Sequence, residues 1–171
     1  KGNNIAEMVR AGIDKLGGIS SFVKPGNKVL IKPNILYGQK PEYAATTNPQ
    51  VIAALVTLCR EAGAAEVVVA DRPTSSPTEA YRISGIGEAC QKAGGKIKVL
   101  TDRHFVSKDI PEGKILKRIS LLRDLFESDV VINVPIAKTH SLAGLTLAMK
   151  NMMGTIGGFR SPMHINFDQK I

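Results

Sequence analysis

The later part of the sequence concentrates side chains that can bind anions or transfer protons. Segment 130–167 has no Asp or Glu, but it contains Lys138, His140, Lys150, Arg160 and His164. A glycine-rich stretch, 154–158, lies among them, and such loops can present backbone N–H groups to an anion. We therefore expect a site for a carboxylate, a phosphate or a nucleotide. Solvated surface charges beside a plain loop are the alternative interpretation.

Proton transfer is the chemistry that the two histidines of this segment suggest. Histidine as a residue type titrates near neutrality, and positive charges close to His140 and His164 would favour the neutral imidazole that accepts a proton. Lys138 or Lys32, if partly desolvated beside other cations, could serve as acid, base or imine-former. The catalytic candidates are thus His140, Lys138 and His164, and either histidine could instead hold a metal. For each of them, a purely structural role is the alternative.

Helical and strand-like patterns alternate along the chain, which predicts an α/β domain. The predicted helices cover 5–16, 49–62, 78–93, 121–127 and 145–153, and the predicted strands cover 29–31, 67–70, 96–100 and 130–134. The strands are short and apolar on both sides. This pattern favours a mainly parallel, Rossmann-like sheet with helices on both faces, in a single domain that spans 1–171.

Polar residues follow the predicted strands, and the carboxyl ends of parallel strands are where α/β sheets bind ligands. They are Lys32 and Asn34 after the first strand, Asp71 and Arg72 after the second, Asp102 and His104 after the third, and Lys138, Thr139 and His140 after the fourth. Thr47, just before a helix that Asn48 can cap, is a further candidate for anion binding. An ordinary N-cap explains that segment equally well.

Composition and motifs exclude several classes of protein. The chain has 171 residues, a formal charge of +8 and 43% hydrophobic residues, which indicates a globular protein rather than a disordered one. No apolar run approaches the roughly 20 residues of a membrane span, and no targeting segment is visible, so we expect a soluble, cytoplasmic protein without a membrane partner. The aromatic fraction is only 5%, and no nucleic-acid motif is present, which makes nucleic-acid binding an unfavoured explanation of the charge.

Two cysteines, Cys59 and Cys90, lie in apolar, helix-like stretches without metal-ligand spacing. Buried, reduced thiols are the favoured interpretation. A closed iron–sulfur or structural zinc site needs about four ligands, so these two alone cannot hold a cluster. Dinucleotide, Walker, serine-hydrolase and zincin motifs are all absent.

Several short motifs, in this order, resemble domain of unknown function family 362. They are VLIKPN at 29–34, TNP at 47–49, VVAD at 68–71, VINVP at 131–135 followed by KTH at 138–140, and TLAMKN at 146–151 followed by Gly154. Members of that family are usually longer, and many are described as iron–sulfur proteins. The resemblance therefore implies that this chain is the front part of a longer domain. It also implies an iron–sulfur segment or redox partner whose cysteines lie outside this chain.

A more distant similarity is to the lactate racemase family, whose basic site holds a nickel-pincer nucleotide while histidines move the substrate proton. The elements that carry it are Asp71-Arg72-Pro73-Thr74 and the segment 135–144 with His140. This similarity implies that Asp71 and Arg72 orient a substrate carboxylate. It implies that His140 acts as an acid and base or as a metal ligand.

These observations lead to a first hypothesis, an enzyme-like domain that binds an anionic small molecule or a nucleotide or metal cofactor. In it, charge-binding residues are Lys32, Lys138, Lys150 and Arg160, orienting residues are Asn34 and Asn151, and proton-transfer residues are His140 or His164. The alternative hypothesis is a binding module that docks an iron–sulfur segment located outside this chain.

Overall fold

A computed structural model describes residues 4–141, 144–158 and 160. The helices within this part of the chain are α1 (Ile5–Asp14), α2 (Pro49–Glu61), α3 (Pro77–Ile83), α4 (Ile86–Lys92), α5 (Asp124–Glu127) and α6 (Ala148–Asn151). The strands are β1 (Lys28–Pro33), β2 (Glu66–Val69), β3 (Lys96–Ile97), β4 (Phe105–Asp109), β5 (Arg118–Leu122), β6 (Val130–Val134), β7 (Lys138–His140) and β8 (Gly144–Thr146).

The main sheet has four strands in the order β3-β2-β1-β6, and every neighbouring pair is parallel. Leu30 in the central strand β1 is in register with Val68 of β2 and with Val131 of β6. The predicted parallel α/β architecture is confirmed. Because all four strands run the same way, their carboxyl ends lie at one edge of the sheet.

The side chains of β1 alternate between two apolar layers, because successive side chains of a strand point to opposite faces of the sheet. Val29 and Ile31 pack into a core with α1, α2, α3 and α4. Leu30 points the other way and packs with Leu122 of β5 and Leu125 of α5. Both faces of the sheet are therefore covered, one by longer helices and the other by the β4–β5 hairpin and one short helix.

The helix predicted over 78–93 is two helices. Gly85 has a φ of +71°, a left-handed conformation that glycine adopts without the penalty of a Cβ, and it separates α3 from α4. The long helical prediction was wrong at this point because one glycine allows the chain to turn. Both short helices still bury apolar residues, Tyr81 in α3 and Cys90 in α4.

The helices predicted over 121–127 and 145–153 were also wrong in their first residues. Arg118–Leu122 is strand β5, which pairs antiparallel with β4, so only Asp124–Glu127 is helical. Gly144–Thr146 is strand β8, which pairs antiparallel with β7. In both places, hydrogen bonding to a neighbouring antiparallel strand overrides the local helical pattern.

The strand predicted over 96–100 is shorter than expected, since regular pairing with β2 covers only Lys96–Ile97. Among the described residues, no helix is both long enough and apolar enough to span a bilayer.

Candidate functional site

A cleft of about 520 Å³ opens beside the carboxyl ends of β1, β2 and β6. Of the predicted site residues that the structure describes, all except Thr47 line it. The lining residues of the cleft are Lys32, Asn34, Leu36, Asp71, Arg72, Pro73, Thr74, Lys138, His140, Thr146, Lys150, Asn151, Met153, Gly154, Gly158 and Arg160.

The floor of the cleft contains a buried ion pair between Lys32 and Asp71. Lys32 Nζ lies 2.8 Å from Asp71 Oδ1, and the two side chains are 1% and 3% exposed. Burial lowers the pKa of Lys32, Asp71 opposes that shift, and the positive charge of Arg160 adds to it. Asp71 Oδ2 also accepts the N–H of Ile35 at 2.8 Å. The Asp71 carboxylate is thus committed to groups of the protein itself.

Three asparagines connect this ion pair to the rest of the cleft. Asn151 Oδ1 accepts hydrogen bonds from Lys32 Nζ at 3.2 Å and from Asn34 Nδ2 at 3.1 Å. Asn151 Nδ2 donates to Asn133 Oδ1 at 2.7 Å. Asn34 Oδ1 in turn accepts from Lys138 Nζ at 3.0 Å. These bonds fix the orientation of each amide, and they join β1, β6, β7 and α6 in one polar network.

Lys138 and His140 lie two residues apart in β7 and point to the same side of that strand. Lys138 Nζ donates to Asn34 Oδ1 and, at 2.7 Å, to the carbonyl of Ala45. Burial lowers the pKa of Lys138, whereas Asp71 opposes the shift. Thr146 Oγ1 donates a hydrogen bond to the Lys138 carbonyl at 3.0 Å, which adds to the pairing of β8 with β7.

Arg72 and Arg160 lie together in the cleft lining although they are far apart in sequence. Arg160 Nη1 donates to the Arg72 carbonyl at 3.0 Å. Arg72 Nη1 donates to the carbonyls of Ile156 at 3.1 Å and Gly158 at 2.8 Å, and its guanidinium lies 5.3 Å from the ring centroid of Phe105. Neutral carbonyl oxygens therefore position both guanidinium groups.

Positive charge strongly exceeds negative charge in the described lining of the cleft. Its cations are Lys32, Arg72, Lys138, Lys150 and Arg160, whereas Asp71 is the one acidic residue in it. Burial lowers the pKa of Lys150, and repulsion from Arg160 and Lys138 lowers it further. The pKa of Arg160 is lowered by burial and by Arg72. The cations are thus close enough to destabilise one another.

Thr47, predicted to bind an anion, does not line the cleft, and its hydroxyl is bonded to the backbone of the protein. Its Oγ1 accepts the N–H of Asn34 and donates to the carbonyl of Val134, both at 2.8 Å. The side chain is buried and joins the ends of β1 and β6. Asn48 caps α2, as the sequence indicated, by accepting the N–H of Gln50 at 2.8 Å.

His164 lies outside the described residues. Asp102 and His104, which follow the third strand, do not line the cleft. The Asp102 side chain is 94% exposed and approaches Arg72 only to 3.8 Å. His104 Nδ1 accepts the N–H of Thr101 at 2.9 Å, so this histidine closes a local turn.

Sequence reasoning did not select Leu36, Thr146 or Met153 as site residues, although all three line the cleft, and it marked Gly154 only as part of the glycine-rich stretch 154–158. Gly154 packs directly against the buried ion pair, because a Cβ at this position would overlap Asp71 Oδ1 and lie 2.7 Å from Lys32 Cε. The signal for Gly154 was its presence in the family motif. Nothing in the sequence marked Leu36 or Met153 as anything but core residues.

The donor atoms of this chain do not fit an iron–sulfur cluster. Both cysteines are fully buried in helices, and burial raises the pKa of Cys59 and of Cys90 to about 11, which disfavours the thiolate that a cluster needs. In the part of the chain that the structure describes, no group of three or more His, Cys, Asp or Glu side chains is arranged to hold a metal ion. The iron–sulfur alternative therefore depends wholly on residues outside this chain.

Comparison with known proteins identifies the family. The chain is 29% identical over 161 residues to a thylakoid-associated protein of Synechocystis sp., an alignment that covers 91% of this chain and 47% of that protein. The chain thus spans about half the length of this curated relative. No solved structure matches it. These comparisons do not show the distant similarity to the lactate racemase family, which stays a prediction. Residues 29–171 match the family described as Domain of unknown function (DUF362), and the chain therefore belongs to that family.

Proposed function

We propose that this domain binds an anionic small molecule, with a carboxylate, phosphate or nucleotide phosphate group, in the cleft at the carboxyl ends of its strands. The observation that carries this proposal is the charge of the lining. Five cationic side chains and one acidic side chain, that of Asp71, line the cleft, and Asp71 is already paired with Lys32. An anion would relieve the mutual repulsion of the remaining cations, which lie in a partly desolvated place where charge interactions are strong.

The dimensions of the cleft favour a small molecule over a polyanion such as DNA. Its volume of about 520 Å³ lies within the range of roughly 300 to 1,000 Å³ that is usual for small-molecule sites. Leu36, Pro73 and Met153 add apolar surface between the polar groups of the lining. A nucleic-acid surface would instead present its basic groups along an open face.

Acid–base chemistry is the reaction that this arrangement supports best. His140 lines the cleft on the same side of β7 as Lys138, so a bound anion would lie beside both a charged donor and a titratable imidazole. Proton transfer by such a group contributes typically about 10² to 10⁴ in rate. In this proposal Lys138 and Arg160 bind the anion, Asn34 and Asn151 orient the lysines, and His140 moves the proton.

Isothermal titration calorimetry tests the binding step with inorganic phosphate, acetate and AMP as probes. We expect saturable binding by at least one of them, weakened about tenfold in Lys138→Met, which corresponds to about 1.4 kcal/mol. Lys92→Gln is the matched control, since it removes the same charge from an exposed i,i+4 pair on α4. Absence of binding by every probe, or equal weakening by the control, would contradict the proposal.

The proton-transfer step is tested by deuterium exchange at the methyl carbon of pyruvate in D₂O, followed by NMR, because a base that removes this proton leaves an enolate that nearby cations stabilise. We expect wild-type protein to catalyse exchange and His140→Ala to lose it while the circular dichroism spectrum stays unchanged. Exchange that persists in His140→Ala would remove His140 from this role.

A further inference from the structure

Leu36 is a large apolar residue of the cleft lining that the protein does not fully cover. Its exposed fraction is 37%, whereas the preceding residue, Ile35, is completely buried in the core. Leu36 follows β1 and lines the same cleft as Asp71 and Lys138. An apolar side chain that is partly exposed in a cationic cleft has surface left to bury, and carbon atoms of a ligand can bury it.

The backbone of Leu36 has a conformation that leucine rarely adopts. Its φ is +48°, in the left-handed region, where the Cβ of an L-residue lies too close to the following carbonyl oxygen. Glycine or asparagine adopts this region at lower cost. The turn after β1 therefore does not by itself require a leucine. Strained residues of this kind are concentrated at binding and active sites.

Hydrogen bonds to the segment after β2 hold the strained residue in place. The N–H and the Oγ1 of Thr74 both donate to the Leu36 carbonyl, at 2.8 Å and 2.9 Å. One position earlier, the Ile35 N–H donates to Asp71 Oδ2 at 2.8 Å. Two positions later, Gly38 packs so closely on α3 that a Cβ there would lie 2.9 Å from a backbone atom of that helix. Contacts on both sides thus fix the backbone of Leu36.

Positive charge and apolar surface lie side by side in this part of the cleft. Arg72 and Pro73 are consecutive residues, and both line it. Pro73 precedes Thr74, whose N–H bonds to the Leu36 carbonyl, so Pro73 lies close to Leu36. A ligand with its charge beside the arginine could therefore place carbon atoms against Leu36 and Pro73.

Resting on the proposed function, we propose that Leu36 determines specificity by contacting an apolar group of the ligand next to its anionic group. The ligand is then a carboxylate or a phosphate ester that carries a hydrocarbon chain or ring, and not a bare inorganic anion. The carboxylate and the phosphate ester share this chemistry, and the experiment distinguishes them.

The test compares dissociation constants of matched probes by calorimetry. Acetate and pentanoate share a carboxylate, and methyl phosphate and phenyl phosphate share a phosphate ester, but the second probe of each pair carries more apolar surface. Each methylene group that becomes buried strengthens binding about fourfold. We expect the larger probe of at least one pair to bind about tenfold or more tightly than the smaller one. The pair that shows this preference identifies the anionic group of the ligand.

Leu36→Ala should remove most of this preference, because alanine is too short to contact the apolar group of the larger probe. The affinity for the smaller probe should be unchanged, since Leu36 does not bind the charge. Leu16→Ala is the matched control, because Leu16 is 66% exposed and does not line the cleft. This change should leave the affinity for every probe unchanged.

Leu36→Gly tests whether the leucine is strained. At an ordinary position alanine is the more stabilising of the two small residues, but at a positive φ the order reverses because glycine has no Cβ. We expect Leu36→Gly to melt about 2 to 4 °C above Leu36→Ala. The glycine variant should show the same loss of preference for the larger probe.

The outcomes separate this inference from the proposed function. The inference is overturned, and anion binding stands, if the larger probes bind no more tightly than the smaller ones or if the preference persists in Leu36→Ala. Equal weakening of both probes by Leu36→Ala overturns it as well, and so does a Leu36→Gly protein that melts below Leu36→Ala. If no probe binds to wild-type protein, both are overturned. Circular dichroism establishes that each variant is folded.

Discussion

Lys32 and Asp71 form an ion pair at the floor of the cleft with almost no exposure to solvent. The pair couples the end of β1 to the segment after β2, and Asn151 extends the connection to α6. A buried charge without its partner is costly, because neither water nor a counterion replaces what was removed. The pair therefore stabilises the structure around the cleft, and its charges are not available to bind a ligand.

Removing one partner of this ion pair should strongly destabilise the protein. We expect Asp71→Asn to reduce the free energy of unfolding by about 3 to 5 kcal/mol, because Lys32 keeps a buried charge without a carboxylate. Urea denaturation followed by circular dichroism measures the change. Glu88→Gln, which breaks an exposed pair with Lys92, is the control and should cause no measurable change. Equal stability of Asp71→Asn and wild type would show that the pair is not structural.

Gly154 should tolerate no side chain, because it packs against both members of the ion pair. We expect Gly154→Ala to destabilise the protein by about 1 to 3 kcal/mol through overpacking. Gly12→Ala is a matched control in α1, where a Cβ meets nothing within 4 Å. That change should stabilise the protein by about 0.5 to 1 kcal/mol, since alanine is the better helix former. Thermal and urea unfolding of both variants distinguish the two effects, and equal behaviour would contradict the close packing at Gly154.

The hydroxyl of Thr47 should contribute to stability by linking the backbone at the ends of β1 and β6. Thr47→Val keeps the shape of the side chain but leaves the N–H of Asn34 without its acceptor, which we expect to cost about 1 to 3 kcal/mol of stability. Thr47→Ser keeps the hydroxyl and should recover most of that loss. Calorimetric titration with inorganic phosphate provides a second measurement. A Thr47→Val protein of wild-type stability with abolished phosphate binding would instead place Thr47 in direct contact with the anion.

Anion binding should be accompanied by proton uptake at alkaline pH. In the free protein, burial lowers the pKa of Lys138, and burial with two neighbouring cations lowers the pKa of Lys150 below the ordinary 10.5. A bound anion favours the charged lysines and raises these pKa values, so affinity should fall as the pH rises from the lowered values towards 10.5. The loss is at most about tenfold per pH unit for each proton taken up.

Calorimetry in buffers of different ionisation enthalpy counts the protons taken up in this alkaline range. Lys150→Met should reduce the count, whereas Lys92→Gln should not. Affinity independent of pH in this range would show that neither lysine contacts the anion.

Much of the main sheet was predictable because its strands bury both faces. A short, continuous apolar run such as 67–70 predicts a strand that is buried on both faces. The Asn48 cap followed by Pro49 marks the start of α2. The two hairpins were missed for the opposite reason. Leu121 and Leu122 suit a helix locally, but they pair with Val106 and Phe105 of β4, which lie 15 and 17 positions earlier. Such pairing depends on contacts that no local window contains.

The sequence by itself determined that Lys32, Asp71 and Lys138 lie at one edge of the sheet, because each follows a strand and parallel strands end together. Only the tertiary structure decided how their charges are used. It pairs Asp71 with Lys32, directs Lys138 to Asn34, and brings Arg160 to the Arg72 carbonyl 88 positions away. The physical reason is that charge balance depends on distances of a few ångströms between atoms. Those distances are set by packing and not by the order of residues in the chain.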